Sequence, residues 1–150
     1  MRRFVPDIEA AVLLTSAFQD EQTGPSFGDL LGNFDSAESV KQIIYNGLHA
    51  DGFSPQILAE WAAFLDIYIS KEVPENDPAL SLVTPIFTQG IFGGAVPLPA
   101  NRFAGVATLA EARAMWESEP EIRILMENGA GGDPYPVSYT HLTLPTTRLV

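Results

Sequence analysis

Two residue types that work together in proton transfer, a carboxylate and a histidine, each follow a largely apolar run of this chain. Asp20 comes after the run at residues 10–16, and His49 comes after the run at residues 40–45. An imidazole can take a proton from a hydroxyl nucleophile and return it to a leaving group, while a neighbouring carboxylate fixes its tautomer and stabilises the imidazolium. The pair therefore indicates acyl transfer, with His49 as general base and Asp20 as its acid partner.

The two apolar runs predict the elements that would bring these side chains together. Residues 10–14 are apolar at every position, which is typical of a parallel strand covered on both faces, and Pro6 can open that strand. Between the runs, a turn at residues 23–25 precedes apolar residues at helical spacing, which are Phe27, Leu30, Leu31 and Phe34. Strand, short helix and strand make one right-handed parallel crossover, with the two strand ends side by side. We therefore predict an α/β fold with both groups at one edge of a parallel sheet.

A long helix is predicted directly after the histidine loop. Ser54 and Pro55 form a helix start, in which the serine hydroxyl can accept a hydrogen bond from an early backbone N–H. Apolar residues then mark one helix face before Pro74; they are Ile57, Trp61, Phe64, Leu65, Tyr68 and Ile69. This face is expected to pack on the sheet behind His49 and to hold its loop in place.

Prolines and glycines punctuate the second half of the chain. They interrupt every periodic run from residue 74 to residue 120, which predicts a connector with one or two short helices. One of these helices begins at a capping box formed by Thr108 and Glu111. Residues 121–127 alternate as a strand does, and the glycine-rich run at residues 128–134 predicts a turn after it. That run lacks the Lys-Ser or Lys-Thr pair and the helix of a phosphate loop.

The composition excludes several classes of protein. Among the 150 residues, 19 are acidic and 8 are Lys or Arg, which gives a formal net charge of −11. Nucleic acids and anionic membranes bind clustered basic residues, so neither is an expected partner. The chain has no cysteine, which excludes disulfides, thiolate metal sites and cysteine nucleophiles. No apolar run approaches the length of a membrane span.

The last fourteen residues carry a resemblance that concerns their origin and not their function. Residues 137–146 read Val-Ser-Tyr-Thr-His-Leu-Thr-Leu-Pro-Thr and resemble one reading frame of the adapter used in transposon-based sequencing libraries. Residues 147–149 would then correspond to the variable index, and Val150 to the adapter codon before a stop. The resemblance implies that residues 137–150 are an artefact, so His141 receives no catalytic role. A short edge strand is the alternative, because the stretch has fair β propensity.

Four segments in order carry a second resemblance: residues 15–24, 46–51, 61–73 and 121–132. They resemble the CocE/NonD family, the cocaine-esterase-like and X-Pro dipeptidyl-peptidase-like serine hydrolases. The resemblance covers most of residues 4–136 and implies an α/β-hydrolase fold, with the triad acid at Asp20 and the triad histidine at His49. The chain has Phe-Gln-Asp where more familiar esterase members show Trp-Tyr-Asp, and Gly-Leu-His where those show Trp-Ser-His.

The resemblance also implies a division of the chain. Residues 1–73 would be the end of a catalytic domain, residues 74–120 a connector, residues 121–136 the first strand of a C-terminal β jelly-roll domain, and residues 137–150 the adapter. No serine of the sequence lies in a Gly-x-Ser-x-Gly elbow, which supplies the nucleophile of this fold and half of its oxyanion hole. We therefore expect a serine-hydrolase fragment that is inactive alone, with no metal or organic cofactor, and whose parent acts on a small-molecule ester or an X-Pro peptide.

Other interpretations of the same residues remain open. The chain could be a small acidic binding or interaction module without enzymatic activity, in which Asp20 and His49 are structural. A metal site built from Asp20, His49 and Asp51 is a weaker alternative, because one imidazole and two carboxylates are a poor ligand set for zinc. Asp51 could replace Asp20 as the acid, although we expect it to brace the loop or to cap the helix that begins at Ser54.

Overall fold

The structure, a computed structural model, describes residues 2–22, 30 and 32–125. They form a three-stranded parallel sheet with helices packed against it, so the chain has the mixed α/β architecture that the sequence predicts. The strands are β1 (Val12–Ala17), β2 (Val40–Tyr45) and β3 (Ile122–Leu125), and they lie in the order β1-β2-β3. In the described part of the chain, no helix is long and apolar enough to cross a membrane.

The first two strands pair in parallel from Val12 opposite Val40 to Ala17 opposite Tyr45. β2 has the predicted bounds, whereas β1 begins later than predicted. Pro6 does not open the strand but lies inside a 3-10 helix, Arg2–Asp7. The fixed φ of proline suits such a helix as well as it suits a strand end, and the sequence pattern did not distinguish the two.

The predicted helix between the strands falls mostly outside the described residues, since residues 23–29 and 31 are among those not described. The described residues of this segment, residue 30 and residues 32–39, contain turns and no helix. The turns end at Ser39, whose carbonyl accepts a hydrogen bond of 2.8 Å from the Val12 N–H, at the start of the strand pair.

β3 differs from the sequence-based interpretation. Residues 121–136 were expected to begin a separate β jelly-roll domain, but the described part pairs in parallel with β2, from Gln42 opposite Ile122 to Tyr45 opposite Leu125. Alternation predicted a strand correctly but carried no information on its partner. In the structure, the Arg123 guanidinium of β3 lies 2.6 Å from the Glu60 carboxylate, which belongs to the helix that follows the histidine loop. Residues 126–136 and the adapter-like residues 137–150 lie outside the described residues.

The helix predicted after the histidine loop is present as α1 (Pro55–Leu65), which continues into a single π-helical turn, Asp66–Ser70. Lys71 ends it in the left-handed conformation, with φ of 61°. Ser54 stands at the N-cap, but its side chain makes no capping hydrogen bond, contrary to expectation. The Ser54 carbonyl instead accepts the N–H of Leu58 at 2.9 Å.

The buried face of α1 is rotated from the predicted one. Ile57 and Tyr68 are buried as expected, whereas Trp61, Leu65 and Ile69 are exposed. The rotation places Glu60 against the protein, where it pairs with Arg123 and, at 2.9 Å, with Arg102. Hydrophobic periodicity counts a glutamate as a surface residue, so it could not detect a helix face organised around a partly buried ion-pair network.

The connector contains more helix than predicted. It forms α2 (Pro78–Phe92), of 15 residues, and α3 (Leu109–Glu117), of 9 residues. Several punctuating residues mark helix ends and do not break helices: Pro78 occupies the first turn of α2, and Gly93 ends it with φ of 75°. α3 begins at the predicted capping box, where the Glu111 N–H donates to Thr108 Oγ1 at 3.2 Å and the Glu111 carboxylate accepts the Thr108 N–H at 3.0 Å.

Two apolar clusters hold these elements together. One lies between α1, its π turn and α3, and is centred on Trp116, which is fully buried. The other lies beneath the ends of β1 and β2 and contains Ala17, Ile43, Tyr45 and Ile57. The second cluster supports the strand ends from which the predicted acid and histidine loops begin.

The two tryptophans give a direct test of this packing. We expect Trp116→Ala to lower the free energy of unfolding by about 3–5 kcal/mol, because it leaves a cavity between α1 and α3. Trp61→Ala removes the same side chain from a site that is 40% exposed, and we expect a loss of at most about 1 kcal/mol. Urea unfolding monitored by circular dichroism measures both. Equal losses would show that the first cluster is not the core of the domain.

Candidate active site

The chain segments that leave β1 and β2 remain paired beyond the strands. The Phe18 N–H donates to the Tyr45 carbonyl, and the Gln19 N–H donates to the Gly47 carbonyl, each at 3.0 Å. This continued pairing leads both segments out of the sheet along the same direction. It brings the Asp20 side chain to the histidine segment, a 3-10 turn at His49–Phe53.

The structure places the two predicted site residues in contact. Asp20 Oδ2 lies 3.0 Å from His49 Nδ1, and Asp20 Oδ1 accepts the N–H of Gln22 at 2.8 Å. The Asp20 side chain is 10% exposed and the His49 side chain is 39% exposed. An ionised carboxylate only accepts hydrogen bonds, so we assign the ring hydrogen to Nδ1, which leaves Nε2 to accept a proton. This is the relation between acid and histidine that general-base chemistry requires.

Two further carboxylates fix the backbone of the histidine turn. The His49 N–H donates to Glu21 Oε2 at 3.0 Å, and the Leu48 N–H donates to Asp51 Oδ2 at 2.7 Å. The hydrogen bond from His49 is the main cause that lowers the pKa of the Glu21 carboxyl from its ordinary value. Asp51 therefore braces the loop, as expected, and its contact with Leu48 gives it a role different from that of the acid.

Close approach at two positions explains why glycines occur in this turn. A Cβ at Gly47 would lie 2.3 Å from Asp51 Oδ2, and a Cβ at Gly52 would lie 2.9 Å from the Tyr45 hydroxyl. Tyr45 is buried beneath the turn, and burial, followed by the charges of Asp20 and Asp51, raises the pKa of its phenol. The Tyr45 phenol beneath the site is therefore neutral, and the negatively charged carboxylates lie around the His49 imidazole.

Sequence reasoning identified Asp20, His49 and the bracing role of Asp51, but it missed Glu21 and Tyr45. Gly47 follows Asn46 in a turn dipeptide, which was an available signal for a tight loop. Glu21 had no comparable signal, because only the pairing of the two loops brings its carboxylate to the His49 N–H.

The metal alternative receives no support from the described residues. In residues 2–22, 30 and 32–125, no group of three or more His, Asp or Glu side chains is arranged to hold a metal ion. Asp20 and Asp51 both lie near the histidine turn, but Asp51 directs its Oδ2 to the Leu48 N–H.

Comparisons of the chain with protein-family models, with curated proteins and with solved structures find no match. The chemistry of the site is accordingly inferred from its geometry and its residue types.

Two glycine substitutions test whether the bracing carboxylate shapes the site. We expect Gly47→Ala to lower the free energy of unfolding by about 1–3 kcal/mol, because the new methyl overlaps the Asp51 carboxylate. It should also increase hydrogen exchange at the amides of Leu48 and His49. Gly90→Ala is the matched control, since a Cβ at this helical position meets nothing within 4 Å. That control should gain about 0.4–1 kcal/mol. Unchanged exchange in Gly47→Ala would show that Asp51 does not hold the turn.

Proposed function

We propose that this chain carries the acid and the histidine of a serine hydrolase, with esterase-like or X-Pro dipeptidyl-peptidase-like activity. The contact of 3.0 Å between Asp20 Oδ2 and His49 Nδ1 is the single observation that supports the proposal best. It joins the ends of two adjacent parallel strands, which is where α/β enzymes place reactive groups. The acid precedes the histidine in the chain, as in α/β-hydrolases.

In the proposed reaction, His49 Nε2 takes the proton of a serine hydroxyl while the hydroxyl oxygen attacks the acyl carbon of the substrate. The imidazolium then gives this proton to the leaving group, and an acyl-enzyme forms. A water molecule repeats the sequence and releases the acid product. Asp20 keeps hydrogen on Nδ1 throughout and stabilises the positive charge of the imidazolium. The carboxylates of Glu21 and Asp51 add to this stabilisation through the negative field around the turn.

The nucleophile is not assigned to any serine of this sequence, since none lies in a Gly-x-Ser-x-Gly elbow. The proposal places the serine and the oxyanion hole on polypeptide outside these 150 residues.

Alone, the chain should therefore hydrolyse p-nitrophenyl acetate no faster than its His49→Ala variant does. The same pair of side chains serves only to clamp two loops together if the chain is instead an acidic binding module.

A two-part experiment separates these roles. The first part measures the tautomer of His49 by nitrogen-labelled NMR, where we expect hydrogen on Nδ1. Asp20→Asn should shift the tautomer toward hydrogen on Nε2, because the asparagine amide can donate to Nδ1. Asp51→Asn is the matched control and should leave the tautomer unchanged, since Asp51 contacts the backbone N–H of Leu48 and not the ring.

The second part joins the chain to the polypeptide encoded immediately upstream in its source DNA and measures hydrolysis of p-nitrophenyl esters. We expect turnover that falls by about 10⁴-fold in Asp20→Asn and by a similar factor in His49→Ala, as for other triads. A Ser→Ala change at the upstream elbow should abolish labelling by a fluorophosphonate. The proposal fails if the upstream frame encodes no elbow, or if turnover does not depend on Asp20 and His49.

A further inference from the structure

The dipeptide Asn46-Gly47 forms the junction between β2 and the histidine turn. Asn46 directly follows the last residue of β2, and both residues of the dipeptide are half-buried. The Asn46 N–H donates to the Leu125 carbonyl, and the Gly47 carbonyl accepts the Gln19 N–H, each at 3.0 Å. These two hydrogen bonds tie the junction to β3 on one side and to the loop of the acid on the other. The position of His49 therefore depends on the length of the backbone at this junction.

An asparagine that precedes a glycine can rearrange without an enzyme. The backbone nitrogen of Gly47 attacks Cγ of the Asn46 side chain, so an N–Cγ bond forms and the Cγ–Nδ2 bond breaks. The displaced nitrogen leaves as ammonia, with the proton of the Gly47 N–H, and a cyclic imide remains. Water then adds to one of the two imide carbonyl carbons and breaks the bond of that carbon to nitrogen. Breaking the bond to Cγ produces aspartate, and breaking the bond to the backbone carbonyl carbon produces isoaspartate. Glycine favours the ring, because it has no Cβ and adopts backbone conformations that other residues avoid.

The hydrogen bonds around the dipeptide do not hold its reacting atoms. They use the Asn46 N–H and the Gly47 carbonyl, whereas the reaction joins Asn46 Cγ to the Gly47 nitrogen. Within the part of the chain that the structure describes, neither the Gly47 N–H nor the Asn46 side-chain amide makes a hydrogen bond. By contrast, Asn101 donates from Nδ2 to the Pro74 carbonyl at 2.8 Å and accepts the Phe103 N–H at 2.9 Å. Among the described asparagines, Asn46 alone precedes a glycine.

Isoaspartate at residue 46 would lengthen the backbone before the histidine turn. Its main chain runs through the side-chain carbons, which inserts one extra atom and adds about 1.5 Å. The contact between Asp20 Oδ2 and His49 Nδ1 is 3.0 Å long, and an N–H···O hydrogen bond extends to about 3.2 Å, so a displacement of this size breaks it. The new carboxylate also enters a turn in which Asp51 already leaves no room for a Cβ at Gly47. Aspartate adds a charge but keeps the length of the backbone.

We propose that Asn46-Gly47 is a site of spontaneous deamidation, and that its isoaspartyl product separates the His49 imidazole from Asp20. The reaction consumes only water and needs no partner. It therefore limits the time for which the two loops keep their geometry. The loss of the contact does not depend on what the site does, whereas the loss of turnover that accompanies it rests on the proposed hydrolase function.

The first experiment incubates the full chain at slightly alkaline pH without ammonium and locates deamidation by mass spectrometry of its peptides. We expect Asn46 to deamidate at least about tenfold faster than Asn101, because Asn101 precedes an arginine and its side chain is hydrogen-bonded. Methylation by isoaspartyl methyltransferase should detect isoaspartate at residue 46. Deamidation of Asn46 no faster than that of Asn101 would overturn the inference.

The second experiment follows the tautomer of His49 by nitrogen-labelled NMR during the incubation. The fraction of chains that lose the preference for hydrogen on Nδ1 should equal the isoaspartyl fraction at residue 46. Repair with the methyltransferase and S-adenosylmethionine, which returns isoaspartate to aspartate, should restore the tautomer. Fresh Asn46→Asp should keep the tautomer, and this variant separates the effect of charge from that of backbone length.

Two glutamine variants complete the second experiment. Asn46→Gln should keep the tautomer throughout the incubation, because its longer side chain would have to close a larger ring. Asn128→Gln is the matched control, since it removes the other Asn-Gly dipeptide of the sequence, which lies outside the described residues. It should lose the tautomer at the same rate as the unmodified chain. Isoaspartate at residue 46 with an unchanged tautomer, or an equal rate of loss in Asn46→Gln, would contradict the inference.

The polypeptide joined to its upstream partner connects the modification to activity. Its hydrolysis of p-nitrophenyl acetate should fall in proportion to the isoaspartyl fraction, and Asn46→Gln should prevent this loss. No turnover in the fresh joined polypeptide would contradict the hydrolase function alone, because the tautomer still reports the modification. Turnover that stays constant while isoaspartate accumulates at residue 46 would contradict the inference and leave the hydrolase function in place.

Discussion

The parallel pairing of β1 with β2 is the constraint on which the candidate site depends. Asp20 and His49 are 29 positions apart in sequence, and they meet because Ala17 lies opposite Tyr45 at the end of the ladder. Side chains alternate along a strand, so a slip of one residue would turn Ile43 and Tyr45 away from Ile57 and the core. Apolar burial beneath the strand ends thus fixes the register, and the register fixes the contact between acid and imidazole.

The loops beyond the sheet depend on carboxylates, because they have no ladder of their own. The histidine turn spans five residues, none of them buried, so apolar packing cannot hold it. Glu21 and Asp51 instead bind two successive N–H groups of its backbone. Acidic residues beside a histidine thus serve two purposes: they set the position of the ring, and they favour positive charge on it. Some of the acidic residues of the chain therefore have a structural role at this turn, which the net charge alone did not indicate.

How far the sequence predicted this structure differs between elements, for physical reasons. β2, the start of α1 and the capping box of α3 follow local rules and were predicted well. The partner of β3 and the buried face of α1 were not predicted, and both elements take part in the ion pairs of Glu60 with Arg102 and Arg123, which join residues distant in sequence. No local pattern encodes such a network. The orientation of α2 was missed for a related reason. Its threonines Thr84 and Thr88 are buried, whereas Leu82 and Ile86 are exposed. Periodicity identifies an apolar face but not the side of the helix that faces the protein.

Asp20 and His49 could be predicted as a pair because the rule that joins them concerns topology more than residue type. Adjacent parallel strands end at one edge of a sheet, so reactive groups after their carboxyl ends converge regardless of the sequence between them. The same rule limits where a nucleophile could enter. Within the described residues, β2 is paired on both sides, and the outer edges of β1 and β3 remain for further strands. Because β2 is the central strand, a parallel strand added at either edge would end two strand positions from the one that leads to His49, which is about 10 Å at a spacing of about 5 Å per strand. A serine after such a strand therefore reaches the imidazole only if its loop crosses the end of β1 or of β3, because both edges of β2 are already paired.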